Sequence, residues 1–173
     1  MDIQAKSLCL DLPSPEATTE LGRSIGRQIF PGAVIGLIGQ LGSGKTFLVR
    51  AVAEGMGVPD PRIVASPTFV LLHQYQGRLP LFHFDTYRLK NPSEFADLGV
   101  HEFWEEQGVC LVEWADRVQE LLPPERLDIR LEVTGDTRRM ATLKAQGPAY
   151  QRLLKMLAGE TRSLLLSQPR STD

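Results

Sequence analysis

The sequence has few cysteines, no excess of basic charge and no long apolar run, and each absence excludes a class of protein. Its two cysteines, Cys9 and Cys110, are too few and too far apart for a disulfide framework. The 19 Lys and Arg residues against 21 Asp and Glu residues give a net charge of −2, so nothing indicates autonomous nucleic-acid binding. No apolar run approaches the ~18 residues of a membrane span, and residues 1–12 lack the apolar core of a signal peptide. We therefore expect a cytoplasmic protein without a membrane segment.

What the sequence does contain is the pattern of one α/β domain. Its 173 residues suit a single domain of the usual ~100–200 residues. We predict that the domain covers residues 1–158, and that residues 159–173, rich in Ser, Gln, Pro and charge, form a disordered tail. Apolar periodicity predicts strands at 7–12, 33–38, 69–75, 79–84, 109–112, 127–133 and 140–144. It predicts helices at 15–29, 46–56, 91–98, 101–106, 116–122 and 150–157. The result is an α/β fold with a mixed, mainly parallel sheet, flanked by helices and antiparallel hairpins.

A glycine-rich turn between the predicted strand at 33–38 and the next helix carries the most specific motif. It satisfies G-x-x-x-x-G-K-[ST], in which glycines let backbone N–H groups surround a phosphate and the helix N-terminus adds its dipole. In this motif the lysine reaches the β- and γ-phosphates, and the threonine hydroxyl ligates Mg²⁺. The predicted ligands for ATP are therefore Gly39, Gln40, Leu41, Gly42, Ser43, Gly44, Lys45 and Thr46.

Two acids follow predicted buried strands and are candidates for holding Mg²⁺ or the attacking water. Asp85 ends the run Leu79-Pro-Leu-Phe-His-Phe84, and Glu113 ends Val109-Cys-Leu-Val112. Open parallel sheets bind ligands at the carboxyl ends of their strands. Either carboxylate by itself could face solvent, and the sequence leaves open which of the two contacts the metal directly.

Three further features have competing interpretations. Ser66-Pro-Thr-Phe69, here the 66–69 segment, is either a nucleotide-sensing loop or a plain turn whose hydroxyls bond local backbone. Trp114 beside Glu113 could pack in the core or border the site. The three histidines show no metal spacing. His83 lies two residues before Asp85 and so shares its strand face, which favours a core or supporting role over metal ligation.

Four motifs taken together resemble the TsaE family, formerly called YjeE. They are the glycine-rich turn at 39–46, the 66–69 segment, His83-Phe-Asp-Thr-Tyr-Arg88 and Leu111-Val-Glu-Trp114, in this order and spacing. The resemblance covers about residues 14–140. It implies a P-loop ATPase of tRNA threonylcarbamoyladenosine synthesis, with ATP and Mg²⁺ as cofactors. It also implies partner proteins TsaD and TsaB, which transfer the threonylcarbamoyl group, so that this chain meets tRNA only indirectly and hydrolyses ATP weakly alone.

The resemblance also implies roles for single residues. Lys45 and Thr46 correspond to the phosphate and metal ligands, and Asp85 and Glu113 to acids around the metal and the attacking water. Thr68 resembles a switch residue that senses the γ-phosphate, and Trp114 lies by the site. Arg138 resembles an arginine near the nucleotide, with Arg139 as the adjacent alternative, and residues 14–18 border the adenine. Gln40 and Ser43 depart from the acid and alanine usual in the family, at positions that contribute mainly backbone N–H groups.

Two other functions use a P-loop in a chain of this size. A small-molecule or nucleoside kinase closes an arginine-bearing lid over its acceptor, and after Trp114 the sequence offers the Arg138-Arg139 pair without an arginine-rich helix. A GTPase switch would carry N-K-x-D or a similar guanine-reading segment, and N-K-x-D does not occur. The partner-dependent ATPase is therefore our preferred hypothesis, with the kinase as the alternative.

Overall fold

The computed structural model describes residues 6–167, and within them seven strands form one mixed sheet. The strands are β1 (Ser7–Leu12), β2 (Val34–Ile38), β3 (Leu72–Gln76), β4 (Pro80–Asp85), β5 (Val109–Glu113), β6 (Arg126–Val133) and β7 (Arg139–Gln146). The helices in this part of the chain are α1 (Pro15–Gln28), α2 (Lys45–Gly55), α3 (Pro92–Ala96), α4 (Val100–Glu105) and α5 (Pro148–Ser167).

The sheet is parallel at its centre and antiparallel at both edges, in the order β1-β7-β6-β2-β5-β4-β3. Strand β2 pairs in parallel with β5 and β6, and β4 pairs in parallel with β5. The outer pairs β1–β7, β6–β7 and β3–β4 are antiparallel. This architecture confirms the predicted α/β fold with a mixed sheet. It also brings the carboxyl ends of β2, β4 and β5 to the same edge, where a ligand site is expected.

Each face of the sheet buries its own apolar cluster. Helices α1, α2 and α5 cover one face, where Ile25, Leu48 and Leu153 pack on residues of β2 and β6. On the other face, Phe84 of β4 packs against Phe95 of α3. Because successive strand residues point to opposite faces, the side chains of His83 and Asp85 share the α2 face with Leu81.

The segment 116–122, predicted as a helix, instead forms two short 3-10 turns, Ala115–Arg117 and Gln119–Leu121. Val118 between the turns has φ −128°, which is not helical. Successive 3-10 turns and an α-helix bury residues at nearly the same spacing over so short a stretch, so periodicity does not separate them.

The strand predicted at 69–75 begins three positions later, at Leu72. The carbonyl of Pro67 accepts the N–H of Leu71 at 2.6 Å, and Leu71 has φ 70°, so a turn occupies this interval. Phe69 and Val70 are consequently exposed rather than paired in the sheet.

Helix α5 extends past the boundary predicted at residue 158 and ends at Ser167. It is anchored beyond that boundary, because the Glu160 carboxylate accepts a hydrogen bond from Ser24 and lies 3.6 Å from Arg27 of α1. Residues 159–167 are thus helical, whereas the remainder of the predicted tail, 168–173, lies outside the described residues. Among residues 6–167, no helix is both long and apolar enough to span a bilayer.

Tyr150→Phe is expected to lower the free energy of unfolding by about 1–3 kcal/mol, because it leaves a buried donor without its acceptor. The Tyr150 hydroxyl accepts the backbone N–H of Val34 at 2.8 Å, at the start of the central strand β2. Urea unfolding of wild type and variant measures the effect. Tyr87→Phe, at a partly exposed ring, is the control and should change stability by less than ~0.5 kcal/mol. Equal effects in both variants would contradict a stabilising role for the hydrogen bond between Tyr150 and Val34.

Candidate functional site

The turn between β2 and α2 has the backbone of a phosphate-binding loop. Gly44 immediately precedes α2 in a left-handed conformation with φ 102°, which a side chain would strain. At Gly39, a Cβ atom would lie 2.6 Å from the carbonyl oxygen of Leu131, so this position has no room for one. Both glycines are therefore required by the path of the loop around the N-terminus of α2.

Lys45, the first residue of α2, points back into this loop. Its Nζ donates to the carbonyls of Gly39 at 2.7 Å and Gln40 at 3.0 Å, and it lies 3.8 Å from the centroid of the Trp114 ring. The side chain is 4% exposed. Burial lowers the pKa of Lys45, and the neighbouring carboxylates of Glu113 and Asp85 act in the opposite direction. The result is a cation held at the loop, where it can attract phosphate.

Thr46 and Glu113 form a direct hydrogen bond across the site. The Thr46 hydroxyl donates to Glu113 Oε1 at 2.7 Å, and the same oxygen lies 2.8 Å from Nε2 of His83. Both side chains are buried: Glu113 ends β5, and His83 lies two residues before the end of the neighbouring strand β4. A hydroxyl next to a carboxylate at a P-loop is a set of oxygen ligands that fits Mg²⁺. This ion usually takes only one or two ligands from the protein and the others from phosphates and water.

The Asp85 carboxylate accepts hydrogen bonds from the 66–69 segment. Its Oδ2 accepts the hydroxyls of Ser66 and, at 3.0 Å, of Thr68. Its Oδ1 accepts the backbone N–H of Tyr87 at 2.8 Å. Asp85 is directly beside Glu113 in the register of β4 and β5. One strand-end acid thus binds the P-loop threonine, and the other binds the loop that precedes β3.

Trp114 lies over the site because the backbone turns sharply after β5. It has φ 59° and ψ 40°, a left-handed conformation that is uncommon for a residue other than glycine. Its ring packs on Tyr87 with centroids 4.8 Å apart and covers Lys45. Strained backbone of this kind is frequently found at functional sites.

These groups line one open cavity of about 310 Å³ at the carboxyl edge of the sheet. Its walls include all of the predicted catalytic and metal-binding residues together with parts of the P-loop: Leu41, Gly42, Gly44, Lys45, Thr46, Thr68, Asp85, Glu113 and Trp114. Four separate sequence motifs therefore meet in a single site. Within residues 6–167, no three His, Cys, Asp or Glu side chains cluster as a ready-made metal centre.

Arg138 and Arg139, the two candidates for an arginine near the nucleotide, make different contacts. Arg138 is exposed and pairs with Asp11 on β1, with Nε to Oδ1 at 2.9 Å. Arg139 instead donates from Nε to the carbonyl of Ser43 at 3.0 Å and from Nη2 to that of Gly42 at 3.3 Å. The residue that contacts the P-loop is therefore Arg139, because it begins β7 and its side chain leaves the strand on the side of the loop.

A second cavity of about 190 Å³ adjoins the other side of the P-loop. It is lined by residues of the predicted adenine-bordering interval 14–18, of the P-loop and α2, and of the β6–β7 connection: Pro15, Thr18, Ser43, Gly44, Phe47, Asp136, Thr137 and Arg139. Gln40 and Ser43, the two departures from the family pattern, contribute backbone carbonyls to the contacts with Lys45 and Arg139. Residues of the interval 14–18 therefore lie beside the P-loop, and their contact with the adenine stays a prediction.

The sequence analysis did not predict three of the contacts at this site. They are the contact of His83 with Glu113, that of Ser66 with Asp85, and that of Arg139 with the carbonyl of Ser43. The alternation of β4 already places His83 on the same face as Asp85, so a signal for it existed. No sequence signal shows that the Ser66 hydroxyl turns toward Asp85.

The parallel strand–turn–helix unit and its glycine-rich loop define an α/β protein of the P-loop type. The chain belongs to the TsaE family, because the family model described as "Threonylcarbamoyl adenosine biosynthesis protein TsaE" matches residues 12–141. The resemblance drawn from the four motifs is therefore confirmed.

Individual relatives cover most of the chain. A Bacillus subtilis (strain 168) protein named "tRNA threonylcarbamoyladenosine biosynthesis protein TsaE" is 44% identical over 146 residues, 84% of this chain and 90% of that protein. A Treponema pallidum (strain Nichols) protein of the same name is 40% identical over 130 residues, 75% of this chain and 95% of that protein. The crystal structure of Bacillus subtilis YdiB superposes with a TM-score of 0.78 at 37% identity, covering 90% of this chain and 96% of that one.

Proposed function

We propose that this chain is an ATP-binding and ATP-hydrolysing component of tRNA threonylcarbamoyladenosine biosynthesis that acts in the cytoplasm. The observation that carries the proposal is the joint position of Lys45, Thr46 and Glu113, which combine a buried cation, a hydroxyl and a carboxylate at one P-loop. The names of the relatives support the pathway. The chain would turn ATP into ADP and phosphate, and it would not itself transfer the threonylcarbamoyl group.

In this proposal, the loop and the start of α2 hold the triphosphate. Lys45 exchanges its contacts with the Gly39 and Gln40 carbonyls for the β- and γ-phosphates, and the helix N-terminus adds its positive dipole. Thr46 and Glu113 would hold Mg²⁺. The chemistry that such an ion would supply is positive charge against the negative charge that develops on the phosphates during transfer.

Asp85 has the position of the second acid, next to Glu113 and bonded to the 66–69 segment. We assign it to the attacking water. Asp85 would accept the proton of this water while the water oxygen bonds to the γ-phosphorus and the bond to the ADP oxygen breaks. Thr68 would sense the γ-phosphate, because its hydroxyl, which here donates to Asp85, can rotate to donate to a phosphate oxygen instead. Hydrolysis would then change the loop that Asp85 holds, as in other γ-phosphate switches.

In this proposal, the chain acts with the partner proteins TsaD and TsaB and contacts tRNA only through them. Leu41 lines the cavity and is 74% exposed, and Phe69, which follows the cavity residue Thr68 in the chain, is 81% exposed. Apolar groups this exposed are typical of a protein-docking surface when they cluster at a site. With a net charge of −2, the chain has no overall excess of positive charge with which to bind tRNA directly.

Lys45→Ala tests nucleotide binding, which the whole proposal requires. Loss of the charge-assisted contact should reduce the free energy of binding by about 1.5–3 kcal/mol. This corresponds to a dissociation constant roughly ten to a hundred times larger. Isothermal titration with a non-hydrolysable ATP analogue measures it. Lys144→Ala, at an exposed lysine of β7, is the matched control and should bind like wild type. Unchanged affinity in a folded Lys45→Ala variant would contradict the proposal. Phosphoryl transfer to a small acceptor would favour the kinase instead.

A further inference from the structure

His83 is the buried polar side chain of the site whose role the proposed function leaves unassigned. It carries no exposed surface, and its Nε2 lies 2.8 Å from Glu113 Oε1. Its other ring nitrogen, Nδ1, is buried without a hydrogen-bond partner among residues 6–167. Burying a polar atom without a hydrogen-bond partner costs free energy of folding. A ring buried in this way and bonded to one oxygen of the site requires an explanation beyond packing.

The hydrogen bonds around Glu113 determine which nitrogen of His83 carries the proton. Glu113 Oε1 already accepts the Thr46 hydroxyl, so it is an acceptor toward His83 too, and Nε2 is the donor. A proton placed on Nδ1 instead would leave a buried N–H without an acceptor, a rarely tolerated arrangement. The tautomer with its proton on Nε2 is therefore the one that these hydrogen bonds accommodate.

We propose that His83 is a positioning residue for the candidate site: its Nε2–H fixes the Glu113 carboxylate against Thr46. This inference rests on the proposed function. Glutamate has three rotatable side-chain bonds, and one hydrogen bond from the Thr46 hydroxyl leaves several of its orientations possible. His83 supplies a second donor from the rigid neighbouring strand β4 to the same oxygen. Hydrogen-bond partners of metal-ligating groups commonly change metal affinity or activity 10–100-fold when they are removed.

Two nearly isosteric substitutions separate positioning from packing. The amide nitrogen of Gln can occupy the place of Nε2, whereas that of Asn corresponds to Nδ1 and cannot reach Glu113. We expect His83→Asn to lower kcat for ATP hydrolysis about 10–100-fold. It should also weaken binding of a non-hydrolysable ATP analogue with Mg²⁺ present, but not with Mg²⁺ chelated. His83→Gln should restore most of both properties.

Equal losses in the two variants, both folded by circular dichroism, would overturn the proposal and leave His83 a packing residue. So would wild-type behaviour of His83→Asn. If His83→Asn does not fold, nitrogen-15 chemical shifts of the His83 ring in the wild-type protein provide the test. A protonated Nε2 and a bare Nδ1 support the proposal, and the opposite tautomer overturns it. This measurement needs no nucleotide, so a wild-type protein that binds no ATP analogue would contradict the proposed function separately.

Discussion

Asp85→Asn is expected to preserve affinity for a non-hydrolysable ATP analogue while lowering kcat about 10²–10⁴-fold, the range for loss of a positioned acid–base group. The fold should tolerate the change, because the amide oxygen can still accept the Tyr87 N–H. The Ser66 and Thr68 hydroxyls can turn to accept from the amide nitrogen. Steady-state phosphate release gives kcat, and isothermal titration gives the affinity.

Glu113→Gln should behave differently, since Glu113 rather than Asp85 contacts Thr46. We expect it to weaken analogue binding in the presence of Mg²⁺ and to leave binding with chelated Mg²⁺ unchanged. Asp97→Asn, at an exposed acid after α3, is the matched control and should resemble wild type in every measurement. Identical behaviour of Asp85→Asn and Glu113→Gln would contradict the division of roles, and wild-type turnover in either variant would remove that acid from the site.

ATP turnover is expected to be slow for the chain alone, to remain slow with tRNA, and to rise strongly with TsaD and TsaB. P-loop enzymes completed by a residue from a partner gain ~10³–10⁵ in rate when that residue is an arginine finger. In our proposal, the 66–69 segment and Trp114 form the face that meets the partner, because both lie at the mouth of the cavity. Strong stimulation by tRNA alone, or none by the proteins, would contradict this mechanism.

Phe69→Ala narrows the same prediction to one side chain. Truncation of an aromatic anchor commonly costs ~2 kcal/mol or more of binding, which corresponds to roughly thirtyfold in affinity for the partner. Phe69 is exposed and contacts Arg88, whose guanidinium lies 4.2 Å from the ring centroid, so basal turnover should persist. Ile63→Ala, at another exposed apolar residue in a different turn, is the control. A Phe69→Ala variant stimulated like wild type would place the partner elsewhere.

Much of this site was predictable from the sequence because its signals are local. The spacing of Gly39, Gly44 and Lys45 dictates a phosphate-binding loop whatever the rest of the chain does, since backbone conformation and side-chain reach are set within eight residues. Asp85 and Glu113 were likewise recognisable, because each ends an apolar run of strand length. Their meeting at one edge follows from parallel pairing of β4 and β5, a topology that the buried runs indicated.

Local patterns were weaker where an interval could adopt two structures of similar spacing. The stretch 116–122 suited a helix as well as the observed 3-10 turns, and Phe69 had the β propensity of a strand residue. Contacts with Asp85 decided the second case. The 66–69 segment leaves the sheet because Ser66 and Thr68 bond Asp85, and the Pro67 carbonyl closes a turn at Leu71.

The sequence by itself determined the fold class, the P-loop and the residues that could serve a nucleotide, since these depend on neighbours along the chain. The tertiary structure alone decided which of those residues contact one another. A shift of one residue sends a strand side chain to the opposite face, and the pairing of Arg139 with Leu12 and Val133 set which arginine contacts the loop. Likewise, Thr46 and His83 converge on Glu113 from α2 and β4. Contacts between residues so distant in the chain are chosen by packing, which no local pattern encodes.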